Sequence, residues 1–213
     1  MRPQVRWLRQ YRWRLSLDIR RYFPSIHHET LCELFSRRLG DRRTIELIRA
    51  MIAAGGEVYR TPVAISVLGL ETEPVPPGRG LPLGGYLSHW SGGLYLDGLD
   101  HYVKRELKIA AYLRYMDDFT LFGNDRAELE EAREAIRDWL ARERKLSLKP
   151  ARDRVQPCSQ PSTVLGFRVS RAGVSPGSKA KRRLRARLRK AESLGVERLV
   201  RSLQAYRGMM LSL

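Results

Sequence analysis

Two carboxylates stand side by side in the run Tyr115-Met116-Asp117-Asp118. Like charges a few ångströms apart repel and raise one another's pKa, so such a pair is costly unless a cation neutralises it. A divalent metal is one remedy. Carboxylate oxygens are hard donors suited to Mg2+ or Mn2+, and a third carboxylate from another strand would complete a site holding two metal ions for in-line phosphoryl transfer. Asp18 is the candidate for that third group. In such a site one metal lowers the pKa of the attacking hydroxyl and the other steadies the leaving group. An isolated Asp-Asp pair is far more often a plain solvated turn, because aspartate hydrogen-bonds its own backbone there. Context has to choose between the two.

The elements that must bring these groups together can be read from periodicity. From Trp13 to Ile19, Trp13, Leu15, Leu17 and Ile19 alternate with Arg14, Ser16 and Asp18, the period of a half-buried strand, and Asp18 is expected on the polar face. Leu31, Leu34, Phe35 and Leu39 recur at helical spacing before Gly40, a helix stop. Residues 53–79 carry several glycines and prolines and are expected to form short strands and an irregular loop. Residues 87–107 predict one long helix, in which Gly92 and Gly93 each cost about 1 kcal/mol relative to Ala, so a close approach is expected there. Residues 110–114 and 119–122 predict two strands of a tight hairpin with both aspartates at its tip. Asn124 or Asp125 can cap a helix with Glu128 in a capping box and Leu129, Ala132, Ile136, Trp139 and Leu140 as its buried stripe. Residues 164–169 predict another strand, ending at Ala172-Gly173. A basic helix around Leu184 and Leu188 follows at 179–190, and after Gly195 a second amphipathic piece carries Val196, Leu199, Val200, Leu203 and Tyr206. This mixed order of strands and helices favours an α+β domain with an antiparallel sheet over a doubly wound fold.

Composition narrows the partners. The 213 residues are 43% hydrophobic, enough for one core, and the formal charge of +17 favours a polyanion, nucleic acid first. Ribosomal, histone-like and basic membrane-surface proteins share such a charge. Cys32 and Cys158 lie in unrelated contexts, which indicates neither a disulfide framework nor a structural zinc site. The uncharged stretch 81–96 is too short and polar to span a bilayer, and the first residues lead to no apolar signal core, so a cytoplasmic, non-membrane protein is expected.

With these residues in place, the chain resembles reverse transcriptases. Leu17-Asp18-Ile19-Arg20-Arg21-Tyr22-Phe23-Pro24-Ser25-Ile26 is similar to the family's motif A, residues 80–96 to motif B, and Tyr115-Met116-Asp117-Asp118 to motif C. Leu146-Ser147-Leu148-Lys149-Pro150 resembles motif D, and Leu165-Gly166-Phe167 the primer grip called motif E. The resemblance runs over residues 13–208 in the family's order. It implies an α+β polymerase palm, an antiparallel sheet packed on helices, with the start of a helical thumb. Residues 1–12 would be a remnant of fingers or a linker, 13–177 the palm and 178–213 a partial basic thumb.

The implied activity is RNA-directed DNA polymerisation: two-metal transfer of a nucleotide from dNTP to a primer 3′-hydroxyl on an RNA template. By position, Asp18, Asp117 and Asp118 resemble the catalytic carboxylates, and the Ile19 carbonyl the backbone ligand beside them, for two Mg2+ or Mn2+ ions. The dNTP would meet Arg20, Arg21, Tyr22, Phe23, Gly80, Pro82, Leu83, Gly84 and Arg152. Phe23 falls at the aromatic steric gate that would collide with a ribose 2′-hydroxyl, and it reads equally as a core phenylalanine. Ser88, Gly92 and Gly93 would present a small-residue face to the catalytic sheet or the template. Template and primer would meet Tyr115, Met116 and Gly166, and the thumb cations Lys179, Lys181, Arg182, Arg183 and Arg185.

Departures point to a subclass. Group II intron-like enzymes have Gln in place of Leu83 and Asn in place of Gly93; Gly80-Leu81-Pro82-Leu83-Gly84 with Ser88 is most similar to reverse transcriptases of diversity-generating retroelements. In those an apolar residue at Leu83 accompanies errors opposite template adenine, and a branched apolar side chain lacks the hydrogen bonds of an amide. His89 replaces their Gln, which keeps defence-associated and unclassified bacterial enzymes open, with a group II intron-like enzyme as a further alternative. Arg152 stands where motif D has a proton-donating Lys; arginine stays charged, and Lys149 is the nearby substitute. Residues 1–12 alone precede the first strand, so the family's fingers are expected from a longer chain or from a partner or accessory protein; a non-catalytic RNA-binding subunit derived from such an enzyme is the alternative.

Overall fold

The structure is a computed structural model that describes residues 2–82, 84–150, 153–164, 166–194, 197, 200–201 and 203–204. Leu83, Arg152, Leu165, Gly195, Val196, Leu199 and Tyr206 lie outside them. The fold is α+β with antiparallel sheets, as the mixed element order predicts. Two compact units divide the chain: Leu15–Leu121 with Arg126–Val155, and Met1–Arg14 with Phe122–Asp125 and Gln156–Leu213.

Strands β1 (Trp13–Asp18), β2 (Tyr112–Tyr115), β3 (Asp118–Gly123) and β4 (Arg154–Pro157) form one sheet in the order β2-β3-β1-β4. Leu15 and Leu17 of β1 are buried as the alternation predicts. Arg14 is a correction: expected on the polar face, it is 1% exposed. Its guanidinium donates to the Gln160 carbonyl at 2.5 Å, the Gln156 side chain at 3.1 Å and the Pro161 carbonyl at 3.3 Å. The carbonyls of Gln160 and Pro161 and the Gln156 side chain take up its two terminal amino groups, which offsets much of the cost of leaving water, while its buried Nε has no partner among the described residues.

In the larger unit, helix α1 (His28–Ser36) begins at His27, whose ring accepts from the Thr30 N–H, and ends before Gly40. Helix α2 (Arg42–Gly56) is capped by Asp41, which accepts from the N–H groups of Arg43 and Thr44. The strands expected within 53–79 do not form. A 3-10 turn, Glu57–Arg60, leads to helix α3 (Pro62–Leu68), which has Thr61 as N-cap, Pro62 in the first turn and Gly69 at φ 62° as its left-handed stop. Capping outweighs the β-branched Val63, Ile65 and Val67, since side-chain caps and Pro at the first position suit a helix start and Gly its end. The single long helix expected at 87–107 is also corrected. It divides into α4 (Tyr86–Tyr95), α5 (Asp97–His101) and a π turn, Tyr102–Glu106. The break falls at Leu96, and Gly98 beyond it has Trp139 and Arg144 against its face, where a Cβ would sit 2.5 Å from the Arg144 guanidinium. Helix α6 (Arg126–Arg144) buries Leu129, Ala132, Ile136, Trp139 and Leu140, the predicted stripe, together with Arg144.

In the smaller unit, helix α7 (Arg2–Gln10) buries Leu8, and Arg171 donates to the Leu8 carbonyl at 2.8 Å. The single strand expected at 164–169 is a three-stranded meander: β5 (Ser162–Val164), β6 (Phe167–Ser170) and β7 (Gly173–Pro176). Helix α8 (Ser178–Leu194) follows. None of the described helices is long and apolar enough to cross a membrane.

Candidate active site

β2 and β3 pair with Tyr115 opposite Asp118, leaving Met116 and Asp117 as the two-residue turn. Such turns need positive φ, and Met116 supplies it at 56°. One aspartate is therefore at the tip and the other is the first residue of β3, where the sequence had both at the tip. β1 lies beside β3, and Ser16 Oγ and Thr120 Oγ1 come to 3.5 Å. Burial holds the Asp117 carboxyl above the usual carboxylate range; the charges of Asp18 and Asp118 add to this, against the pull of its own backbone N–H and of Lys149. The three aspartates thus share one electrostatic neighbourhood.

Lys149 places Nζ 3.6 Å from Asp18 Oδ2. Its backbone N–H donates to the Asp18 carbonyl at 2.8 Å, and Arg20 N–H donates to the Ser147 carbonyl at 2.9 Å. These bonds flank the antiparallel bridge between Ile19 and Leu148, so the N–H and carbonyl of Ile19 point away from Leu148. By donor type the residues fit Mg2+: three carboxylates and a backbone carbonyl offer oxygen alone, and a hard cation would relieve the repulsion that Asp18 and Asp118 exert on Asp117. Among the described residues, no three His, Cys, Asp or Glu side chains are gathered closely enough to hold a metal ion.

The residues after Asp18 turn sharply. Arg21 sits at φ 46°, and Tyr22–Ser25 forms one helical turn. Arg20 pairs with Glu73 at 2.5 Å, and Arg21 donates to the carbonyls of Glu73 at 2.7 Å and Gly69 at 2.9 Å. Tyr22 is buried and donates to the Gly92 carbonyl at 2.5 Å; burial pushes its hydroxyl pKa up. Phe23 is half-buried, its ring 5.3 Å from that of Tyr22 in an edge-on contact. A Cβ on Gly92 would meet Tyr22, Met116 and Phe23 at 3.3–3.4 Å, so the close approach expected of the glycine pair occurs at Gly92. Nothing lies within 4 Å of a Cβ on Gly93.

The glycine-rich segment is tied to the strand-turn segment by main-chain bonds. Leu81 N–H donates to the Phe23 carbonyl and Gly80 N–H to the Ile26 carbonyl, both at 2.9 Å. Gly80 holds φ 99°, and a Cβ there would sit 2.6 Å from the Tyr59 ring. Gly84, at φ 87°, has open space around it, and Pro82 packs against Gly55. Leu83 and Arg152, both expected at the nucleotide, lie outside the described residues.

Several residues here escaped the sequence reading. Tyr59 donates to the Leu81 carbonyl, its pKa pushed up to about 12 by burial, and His28 Nε2 bonds the Gly80 carbonyl at 2.8 Å. Glu73 holds the two arginines, and Arg114 joins Asp100 to the turn. Tyr59 and Glu73 lie in the segment read as irregular, where no periodicity marked them. Arg114 adjoins the turn in sequence, yet nothing local named Asp100 as its partner.

The smaller unit carries the remaining candidates. Gly166 is at φ 83°, its carbonyl accepting from Gly177 N–H at 3.0 Å. Lys179, Lys181, Arg182, Arg183 and Arg185 are all exposed on α8. The structure puts them in this unit and Asp18, Ile19, Arg20, Arg21, Tyr22, Phe23, Gly80, Pro82, Gly84, Tyr115, Met116, Asp117 and Asp118 in the other.

The chain is 25% identical to Protein YkfC of Escherichia coli (strain K12), over 75% of this chain and 47% of that protein. A solved structure of apo telomerase from Candida tropicalis, truncated from its C-terminal domain, shares the fold at a TM-score of 0.58 and 12% identity, over 81% of this chain and 39% of that one. The chain thus spans less than half the length of either protein. The family model for reverse transcriptase (RNA-dependent DNA polymerase) matches residues 2–169, most of the chain, and the chain belongs to that family.

Proposed function

We propose that this chain forms the palm, at residues 13–177, and the start of the thumb, at 178–213, of a polymerase that copies RNA into DNA. The observation that carries the reading is the shared neighbourhood of Asp18, Asp117 and Asp118 beside Phe23 and Gly92. Two Mg2+ ions held by these carboxylates and the Ile19 carbonyl would activate the primer 3′-hydroxyl and steady the triphosphate. The chain's own residues would do the rest. Arg20 and Arg21 meet the phosphates, and the Phe23 ring stands against a ribose 2′-hydroxyl, a role supported by its half-buried position. The main-chain bonds from Gly80 and Leu81 hold the glycine-rich segment beside the nascent base pair. The exposed cations of α8 run along the phosphates of the template–primer duplex.

Within the family, the proposed context is a diversity-generating retroelement, on the strength of Leu83 and the segment around it. Primer extension on an RNA template with Mg2+ tests the reading. Incorporation of dNTPs by the wild-type chain that is lost in Asp117→Asn is expected; incorporation that survives the substitution overturns the assignment. A second reading, a nucleic-acid-binding subunit without polymerase chemistry, is favoured by Lys149 standing beside Asp18. Tight binding of template–primer without extension would establish it.

A further inference from the structure

Arg114 makes three kinds of contact with one planar group. Its Nε and Nη2 donate to Asp100 Oδ1 at 2.7 Å and Oδ2 at 2.5 Å, and its Nη1 donates to the Met116 carbonyl at 3.1 Å. The Tyr112 hydroxyl adds a bond to Asp100 Oδ1 at 2.8 Å. Both charged side chains are largely withdrawn from water, with 15% and 33% of their surface exposed. Helix α5, which carries Asp100, is thereby tied to the peptide that reverses the hairpin.

That peptide is strained. Met116 holds φ 56°, a region that costs a residue with a Cβ and persists where its surroundings over-determine it. A hydrogen bond to the Met116 carbonyl restrains the orientation of the Met116-Asp117 peptide, from which both the Asp117 side chain and the start of β3 at Asp118 follow. The fork of a guanidinium can grip a carboxylate with two N–H groups and still donate a third elsewhere. An ammonium, a compact point charge, cannot match that geometry.

We propose that Asp100 and Arg114 are a positioning pair that fixes the Met116-Asp117 peptide and so preorganises the Asp117 and Asp118 carboxylates for a divalent cation. The inference rests on reading those carboxylates as the metal-holding groups. Neither Asp100 nor Arg114 touches the metal or the substrate. They act through the turn, as hydrogen-bond partners behind metal ligands do, whose loss weakens metal affinity by about 10- to 100-fold.

The test is Mn2+ binding by the full chain without substrate, counted by electron paramagnetic resonance, alongside the Mg2+ concentration that half-saturates primer extension. Asp100→Asn and Arg114→Lys are expected to raise both half-saturation values about tenfold, with the double variant showing little further shift because the two residues act as one unit. Asp100→Glu keeps the charge and displaces it by one methylene, so it remains testable if Asp100→Asn does not fold; an intermediate shift is expected. Leu129→Ala, a core cavity on α6, lowers stability and the active fraction and leaves the half-saturation values where they were. Asp100→Glu and Arg114→Lys binding Mn2+ like wild type, while Asp117→Asn loses it, would overturn the positioning role alone. Equal Mn2+ binding by wild type and Asp117→Asn would remove the metal reading and this inference with it.

Discussion

Gly92 and Gly93 occupy adjacent positions of one helix, and replacing each by alanine should give opposite results. In a helix interior, Gly→Ala gains about 1 kcal/mol. At Gly93 nothing lies within 4 Å of the new Cβ, so that gain should appear in full. For a chain of this size it raises the melting temperature by about 2–4 °C. At Gly92 the new methyl meets Tyr22 Cε1 at 3.3 Å and Met116 Cε and Phe23 Cε1 at 3.4 Å. Overpacking typically costs about 1–3 kcal/mol, which cancels the helix gain or outweighs it by up to ~2 kcal/mol. Met116 can yield because its side chain is flexible, whereas Tyr22 is held by its bond to the Gly92 carbonyl. The displacement therefore falls on Phe23 and Met116, the two that border the candidate site, and Gly92→Ala should also raise the KM for dNTP. Thermal unfolding of both variants followed by primer extension measures each effect. A Gly92→Ala protein stabilised as much as Gly93→Ala would show that the tight contact does not exist in solution.

Further outcomes follow from single contacts. Glu73→Gln removes the charge that holds Arg20 and leaves Arg21 on the Glu73 and Gly69 carbonyls, and since an exposed ion pair is worth up to about 1 kcal/mol, the KM for dNTP should fall about two- to fivefold; a higher KM would mean that Glu73 orients Arg20 instead. Burial, with Arg79, holds the His27 imidazole below its usual range, so the folded chain binds fewer protons than the unfolded one, and stability should decline as pH falls below about 6.5. In His27→Asn, which keeps a capping acceptor and does not titrate, the drop in melting temperature between about pH 7 and about pH 5.5 should be smaller; equal drops would acquit His27. On the proposed reading of Leu83, Leu83→Gln introduces an amide able to hydrogen-bond and should lower misincorporation opposite template adenine, read by sequencing the extended products; an unchanged error spectrum would detach Leu83 from fidelity.

Much of the site was legible because its parts are local. A strand needs a period of two, and β1 showed it; a two-residue turn needs adjacent strand-forming runs, and those around Tyr115-Met116-Asp117-Asp118 were present. The stripe of α6 was legible for the same reason, each buried residue being spaced by the helix itself. The segment 53–79 was not. There, β-branched residues argued for strands while the caps Thr61, Pro62 and Gly69 argued for a helix, and the helix formed with Val63 and Val67 in solvent. The length of 87–107 misled likewise, because the apolar pattern continues across the break at Leu96.

Residue types and their order thus sufficed for the lineage and for proposing Asp18, Asp117 and Asp118 as the carboxylates, since chemistry that needs hard oxygen donors leaves few residue types to choose from. Pairing across distance was a different matter. That Arg14 is buried rather than solvated, that Gly92 rather than Gly93 meets the turn, that Glu73 engages the arginines and that Asp100 grips Arg114 depend on residues 14 or more positions apart. Local pattern constrains which face a side chain leaves from. What stands opposite is set by how the elements pack, and no spacing along the chain encodes it.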